Sequence, residues 1–204
     1  MKQKSTVVLL ALLLICVVGG SAAAESEPVE ELPFTMPQPE GWRSETIPFP
    51  LPFAPELAYR GLEEVRLPGG MFEPESPEFW SYVFAWWLPI GTDIEAGRLE
   101  QDLVLYYRGL AETISGRLEY EPGPLEIEAE LEPVAGRKRQ WNGSVAAFDP
   151  FVTRKALRIA ARITLWDCLP DHRVVFFELS PQPMTHAIWE TLAGIREGFS
   201  CPAD

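Results

Sequence analysis

The chain has 204 residues, with 30 acidic against 17 basic side chains and a formal charge of −13 at neutral pH. Such a field repels a polyanion, so nucleic acid is a poor partner. At 47% hydrophobic, with seven Trp and eleven Phe, the chain carries enough apolar surface for a substantial core, and disorder is excluded for most of its length.

Reading from the start, Lys2 and Lys4 precede an unbroken apolar run over residues 7–18, and Ser21-Ala22-Ala23-Ala24 supplies small residues ahead of Glu25. This is the pattern of a secretory signal over residues 1–24, cleaved between Ala24 and Glu25. The apolar run is shorter than the roughly 20 residues that a membrane span requires. Cys16 sits inside that run, after Leu13-Leu14-Ile15, and so lacks the small preceding residue of a lipid-anchored cysteine. Cleavage removes two bases and no acid, leaving a charge of −15 on a soluble exported product, periplasmic or extracellular, without a membrane span. Cys168 and Cys201 are then the only thiols left, and an oxidising compartment favours their pairing.

Residues 25–41 are acidic and rich in proline, with apolar residues too sparse to pack, and read as a flexible tether before a single α+β domain over 42–204. Within 42–55, Ile47-Pro48-Phe49-Pro50-Leu51-Pro52-Phe53 alternates proline with large apolar groups. Each proline removes a ladder donor, so the segment suits an extended strap over an apolar face and is excluded from the centre of a sheet. Strands follow at 62–67 and 79–88. The second is apolar on both alternating faces, which requires both to be covered, one by helices and the other by the strap.

Thr92-Asp93-Ile94-Glu95 has the spacing of a capping box. The helix after it carries Leu99, Leu103, Tyr106, Leu110 and Ile114 on one stripe, and Gly116 is the expected left-handed stop. Four strands come next, at 125–132, 137–148, 155–166 and 173–180, linked by connections short enough to make an antiparallel meander. A closing helix places Ile188, Leu192, Ile195 and Phe199 on one face. The expected order is β-β-α-β-β-β-β-α, one antiparallel sheet of about six strands with two main helices packed on it.

A proline-rich entry ending in Gly41-Trp42, an antiparallel sheet interrupted by one helix, and a closing helix running Ile195 to Phe199-Ser200-Cys201 resemble the PsbP-like superfamily and small exported bacterial proteins of unknown function. That resemblance implies a non-enzymatic extrinsic or binding protein.

Chemistry-bearing patterns are few. Glu126, Glu128, Glu130 and Glu132 alternate along one strand, at a backbone spacing of roughly 6.5–7 Å between neighbours on a face. Calcium draws its oxygens within about 2.6 Å of one ion, so a solvated ladder is the better reading, with Arg137, Arg139, Arg158 and Arg162 on adjacent strands as cross-strand partners. His172 and His186 are too few and too separated for a zinc site, and no metal or cofactor is expected. Neither a nucleophile elbow nor a Cys-His pair occurs. Asn142-Gly143-Ser144 matches a glycosylation acceptor, and Ser144 reads as part of a strand irregularity. Trp80, Trp86 and Trp87 belong to a core strand. Trp141 and Trp166, beside Arg158 and Arg162, form a candidate surface for an envelope protein or polymer. The expected function is a non-enzymatic binding or assembly module of the cell envelope; the alternative is a hydrolase of an envelope or extracellular polymer acting through carboxylates that sequence cannot locate.

Overall fold

A computed structural model of the protein describes residues 32–168 and 170–202. The expected signal segment over 1–24 and its expected cleavage site lie outside the described residues. The elements are β1 (Arg43–Pro48), β2 (Leu62–Leu67), β3 (Tyr82–Pro89), α1 (Ala96–Arg117), β4 (Glu128–Pro133), β5 (Gln140–Phe148), β6 (Ala156–Cys168), β7 (His172–Ser180) and α2 (Ile188–Glu197). All seven strands join one antiparallel sheet in the order β1-β2-β3-β7-β6-β5-β4. The expected α+β class holds, with seven strands in place of about six. The added strand is β1, whose sequence RSETIP is too polar to announce itself. It lies at the sheet edge and ends in Pro48, as the missing donor demands.

Strands β4 to β7 form the meander that their short connections require, and β3 then pairs with β7 at the centre. Helix α1 carries the chain from β3 to β4 at the far edge. One sheet face holds Tyr82, Phe84, Trp86 and Leu88 of β3 with Ile159, Ala161, Ile163 and Leu165 of β6, packed with Leu99, Leu103 and Tyr106 of α1. Phe84 and Phe177 stack across the β3–β7 seam with centroids 4.3 Å apart. The opposite face holds Val83, Ala85 and Trp87 with Val174 and Phe176, covered by Trp189, Leu192 and Ile195 of α2. Both faces of β3 are thus covered, as its double apolar alternation demands.

The covering differs from expectation in three places. The strap lies on the α1 face: Phe53 meets Tyr106 edge-on at 4.9 Å, and Leu51 is fully buried beside them. Gly109 permits this approach, because a Cβ there would stand 1.9 Å from the Phe53 carbonyl oxygen. Residues 32–41, read as part of a tether, are packed on the α2 face. Phe34 and Met36 are buried, and Phe34 lies 5.0 Å from Trp87 and 4.9 Å from Phe199. Thr35 and Ser200 exchange main-chain hydrogen bonds of 3.0 and 2.9 Å, which supplies the order that sparse apolar spacing did not advertise. Finally, the helix signals shift. Thr92 donates its hydroxyl to the Pro89 carbonyl at 2.7 Å, and the N-cap is Glu95 without a side-chain cap bond. Helix α1 passes Gly116 to Arg117, and Glu119 takes the left-handed conformation at φ 55°.

Cys168, at the end of β6, and Cys201, beyond α2, lie at disulfide distance with Cα atoms 5.5 Å apart. No helix among the described residues is long and apolar enough to cross a membrane.

Candidate functional site

The four residues of the expected aromatic and basic patch are not brought together. Trp141 is directly opposite Ile163, and directly opposed residues share a face, so Trp141 packs against the α1-side core. Arg158, Arg162 and Trp166 alternate onto the α2 side, where Arg158 and Trp166 stand eight residues apart on β6, roughly 26 Å along the strand. Trp166 is covered in part by Phe176 at 5.9 Å and Phe199 at 5.4 Å. Arg162 donates to Glu178 at 3.1 Å and lies 5.3 Å over the Trp189 ring, which docks α2. Arg158 is exposed and donates to the Ser144 hydroxyl at 2.6 Å.

Buried charge is concentrated on β2, a feature that sequence reading left unremarked. On the α1 side, Glu63 is fully buried and accepts hydrogen bonds from the Trp86 indole at 2.8 Å and the Tyr106 hydroxyl at 3.2 Å. Burial pushes its carboxyl up to about 8, against the lowering effect of those two donors. Asp102 of α1 accepts from the Tyr59 hydroxyl at 2.5 Å and from Arg98 at 3.1 Å; burial raises its carboxyl, and both donors oppose the rise. The Tyr82 and Tyr107 hydroxyls are 2.6 Å apart in the same layer.

On the α2 side, Glu64 pairs with Arg66 and accepts from the Thr46 hydroxyl. Arg66 also donates to the carbonyls of Met36 at 2.8 Å and Pro37 at 3.2 Å, holding residues 32–42 against the sheet. Glu178 accepts from Arg162 at 3.1 Å and Arg196 at 3.0 Å, joining β7 to α2; burial raises its carboxyl, and the two arginines oppose that. Glu63, Glu64, Asp102 and Glu178 are each satisfied by groups that fasten one element to another, whereas the buried Asp149 is satisfied within its own loop by the Phe151, Val152 and Thr153 amides. His186 behaves similarly, its Nδ1 accepting from the Ile188 amide at the start of α2, while His172 stacks on Trp87 at 4.7 Å. No group of three or more potential metal ligands occurs among the described residues.

The open geometry lies elsewhere. A groove of about 730 Å³ runs between α1 and the sheet edge at β4. Val104 and Leu105 of α1 face Ile127 and Ala129 across its floor, and Glu100, Glu128 and Glu130 form its rim. The glutamate ladder stands on this edge strand without the expected arginines. Opposite Glu128, Glu130 and Glu132 on β5 are Ala146, Ser144 and Asn142. Arg139 instead binds Asp167 at 2.7 Å, and Arg162 binds Glu178. None of Glu126, Glu128, Glu130 and Glu132 enters an ion pair among the described residues. Gly143 fixes the close β4–β5 approach, since a Cβ there would lie 1.9 Å from the Glu130 carbonyl oxygen.

Main-chain bonding alternates along an antiparallel pair, so every second residue of an edge strand turns its N–H and C=O away from the sheet. The Val134 amide donates to Gln140, which puts Glu132, Glu130 and Glu128 in phase as the residues bonded to β5. Ala129 and Leu131 consequently present their backbone groups outward, and the Ile127 carbonyl, joined to the Glu128 amide, turns the same way. The Leu131 amide is held by Glu100 Oε1 at 2.7 Å. Neither Glu63, Asp102 nor Glu178 lines the groove. It therefore offers apolar contact, negative charge and main-chain hydrogen bonding. No protein-family model, curated protein or solved structure matches the chain.

Proposed function

We propose that this protein is an exported, non-enzymatic binding or assembly module of the cell envelope, and that its partner is an envelope protein or polymer received at the α1–β4 groove. The carrying observation is a separation of roles. Three carboxyls with raised pKa, those of Glu63, Asp102 and Glu178, are held inside the fold by Trp86, Tyr106, Tyr59 and arginine donors, whereas the open groove holds recognition chemistry. A hydrolase needs the reverse, perturbed acids converging where a substrate fits. Support for export comes from the signal-like first 24 residues and from Cys168 and Cys201 at bonding distance. The PsbP-like resemblance of the sequence points to the same class of function.

Cross-linking in the native envelope, followed by capture through a tag on the protein, tests the reading. The expected result is one envelope component recovered in stoichiometric amount, with loss of recovery when Glu128 and Glu130 are both changed to lysine. Failure to retain any envelope component, or release of soluble fragments from purified envelope polymers by the protein alone, overturns it.

A further inference from the structure

Among the cavities, buried acids, aromatic faces and cysteines, the β4 edge is the one place where three independent features point to one kind of occupant. Both backbone groups of Ala129, and the carbonyl of Ile127 just ahead of β4, face outward at the strand that ends the sheet. Beside them lies the apolar floor of Val104 and Leu105. On the other face of the same strand stand Glu128, Glu130 and Glu132, exposed and without basic partners on β5.

We infer that β4 is a docking edge for an extended peptide segment in which apolar residues alternate with Lys or Arg, added to the sheet as an eighth strand. A strand laid against β4 takes main-chain bonds from Ile127 and Ala129 and, by the period of two, sends alternate side chains to opposite faces. One set enters the groove over Val104, Leu105 and Ile127. The other comes directly opposite Glu128 and Glu130, at the non-hydrogen-bonded positions where Cβ atoms are closest, about 4.5–5.5 Å apart. Positive charge is needed there and nowhere else on the incoming strand.

The same acids select against the commonest wrong partner. A second copy of β4 pairing edge to edge would set glutamate against glutamate, so the ladder keeps the edge open to a cationic strand while blocking self-association. Glu100 sets the length of the site. Its carboxylate occupies the Leu131 amide as a partner carbonyl would, and Pro133 has no amide to offer, so the docked strand registers on Ile127 and Ala129.

This inference rests on the binding-module reading, and it is tested with the full protein and synthetic peptides of about seven residues. The probe is an alternating Lys/Val peptide; the comparisons are its Glu/Val counterpart and a Lys/Val peptide with a central proline. Calorimetry and amide chemical-shift mapping are the readouts. The Lys/Val peptide is expected to bind with shifts centred on Ile127, Ala129, Val104 and Leu105, and the proline peptide at least about tenfold more weakly. Ala129→Pro removes an outward amide and no β4–β5 bond, so it should weaken binding about tenfold with the β5 and β6 spectrum retained. Should that variant not fold, Glu128→Lys with Glu130→Lys serves instead, and should exchange preference from the Lys/Val to the Glu/Val peptide. Equal binding of all three peptides, shifts mapping to another face, no binding, or a dimer lost in the charge-reversed protein each overturns the inference. Envelope capture that persists undiminished in Ala129→Pro overturns the edge-strand mode and leaves the binding module standing; absence of any captured component removes the module itself.

Discussion

The indole of Trp86 donates to the fully buried Glu63 at 2.8 Å, and no cation among the described residues accompanies the acid. A carboxyl held up to about 8 retains its proton through neutral pH in the folded state, while the unfolded chain loses it near 4.5. The folded form thus binds more protons across that window, and its stability is full below the lower value and declines as pH rises through the upper one. The slope reaches about 1.4 kcal/mol per pH unit for this group. Glu63→Gln keeps an acceptor for Trp86 and removes the charge, so it should flatten the decline between pH 5 and about 8. Urea denaturation at several pH values measures this; an unchanged slope in the variant would refute the assignment.

Arg66 joins Glu64 to the carbonyls of Met36 and Pro37, within a buried pair. Arg66→Ala leaves Glu64 uncompensated and should cost about 3–5 kcal/mol. Residues 32–42 should become the first site of proteolytic attack. Limited proteolysis with mass analysis reads this directly, and cleavage confined to other loops would count against the clamp.

Changing Arg162 and Trp166 together to alanine would leave the melting temperature unmoved if both were free surface residues. Their contacts dictate otherwise: Arg162 supports the buried Glu178 and covers Trp189, and Trp166 lies against Phe176 and Phe199. Arg162→Ala alone should cost about 1–3 kcal/mol, with Arg196 left as the second partner of Glu178. Thermal unfolding of the single and double variants gives the answer, and an unaltered midpoint would show the face to be free.

The Cys168–Cys201 pair spans 33 residues, a loop whose closure stabilises a fold by roughly 3–4 kcal/mol in the chain-entropy model. Cys168→Ser with Cys201→Ser should lower the unfolding free energy from denaturant titration by that amount without changing the β-sheet signal in circular dichroism. Reductant applied to the unmodified protein should reproduce the loss, and should have no effect on the double variant.

Local alternation made much of this fold legible. Strand β2 has the bounds its pattern sets, and Leu157, Ile159, Ala161, Ile163 and Leu165 turn to the α1 side as their period of two requires. What stayed hidden depends on distant partners. The polar strand β1 exists because β2 offers it a ladder, and Phe34 is buried because Trp87 and Phe199 meet it there. The burial of Glu63, Glu64 and Arg66 likewise follows from layers contributed by residues far along the chain. The glutamate ladder was visible as a pattern, yet its place at an open edge comes from β3 pairing with β7, a choice no stretch of β4 encodes.

The mutual main-chain bonds of Thr35 and Ser200 join the entry of the folded region to its exit. Tension applied to the chain ahead of residue 32 and behind residue 202 falls first on this pair of hydrogen bonds, and Cys201, at bonding distance from Cys168, ties the exit to the end of β6. A pull on both ends would therefore open the Thr35–Ser200 bridge before it reached β4, at the far edge of the sheet.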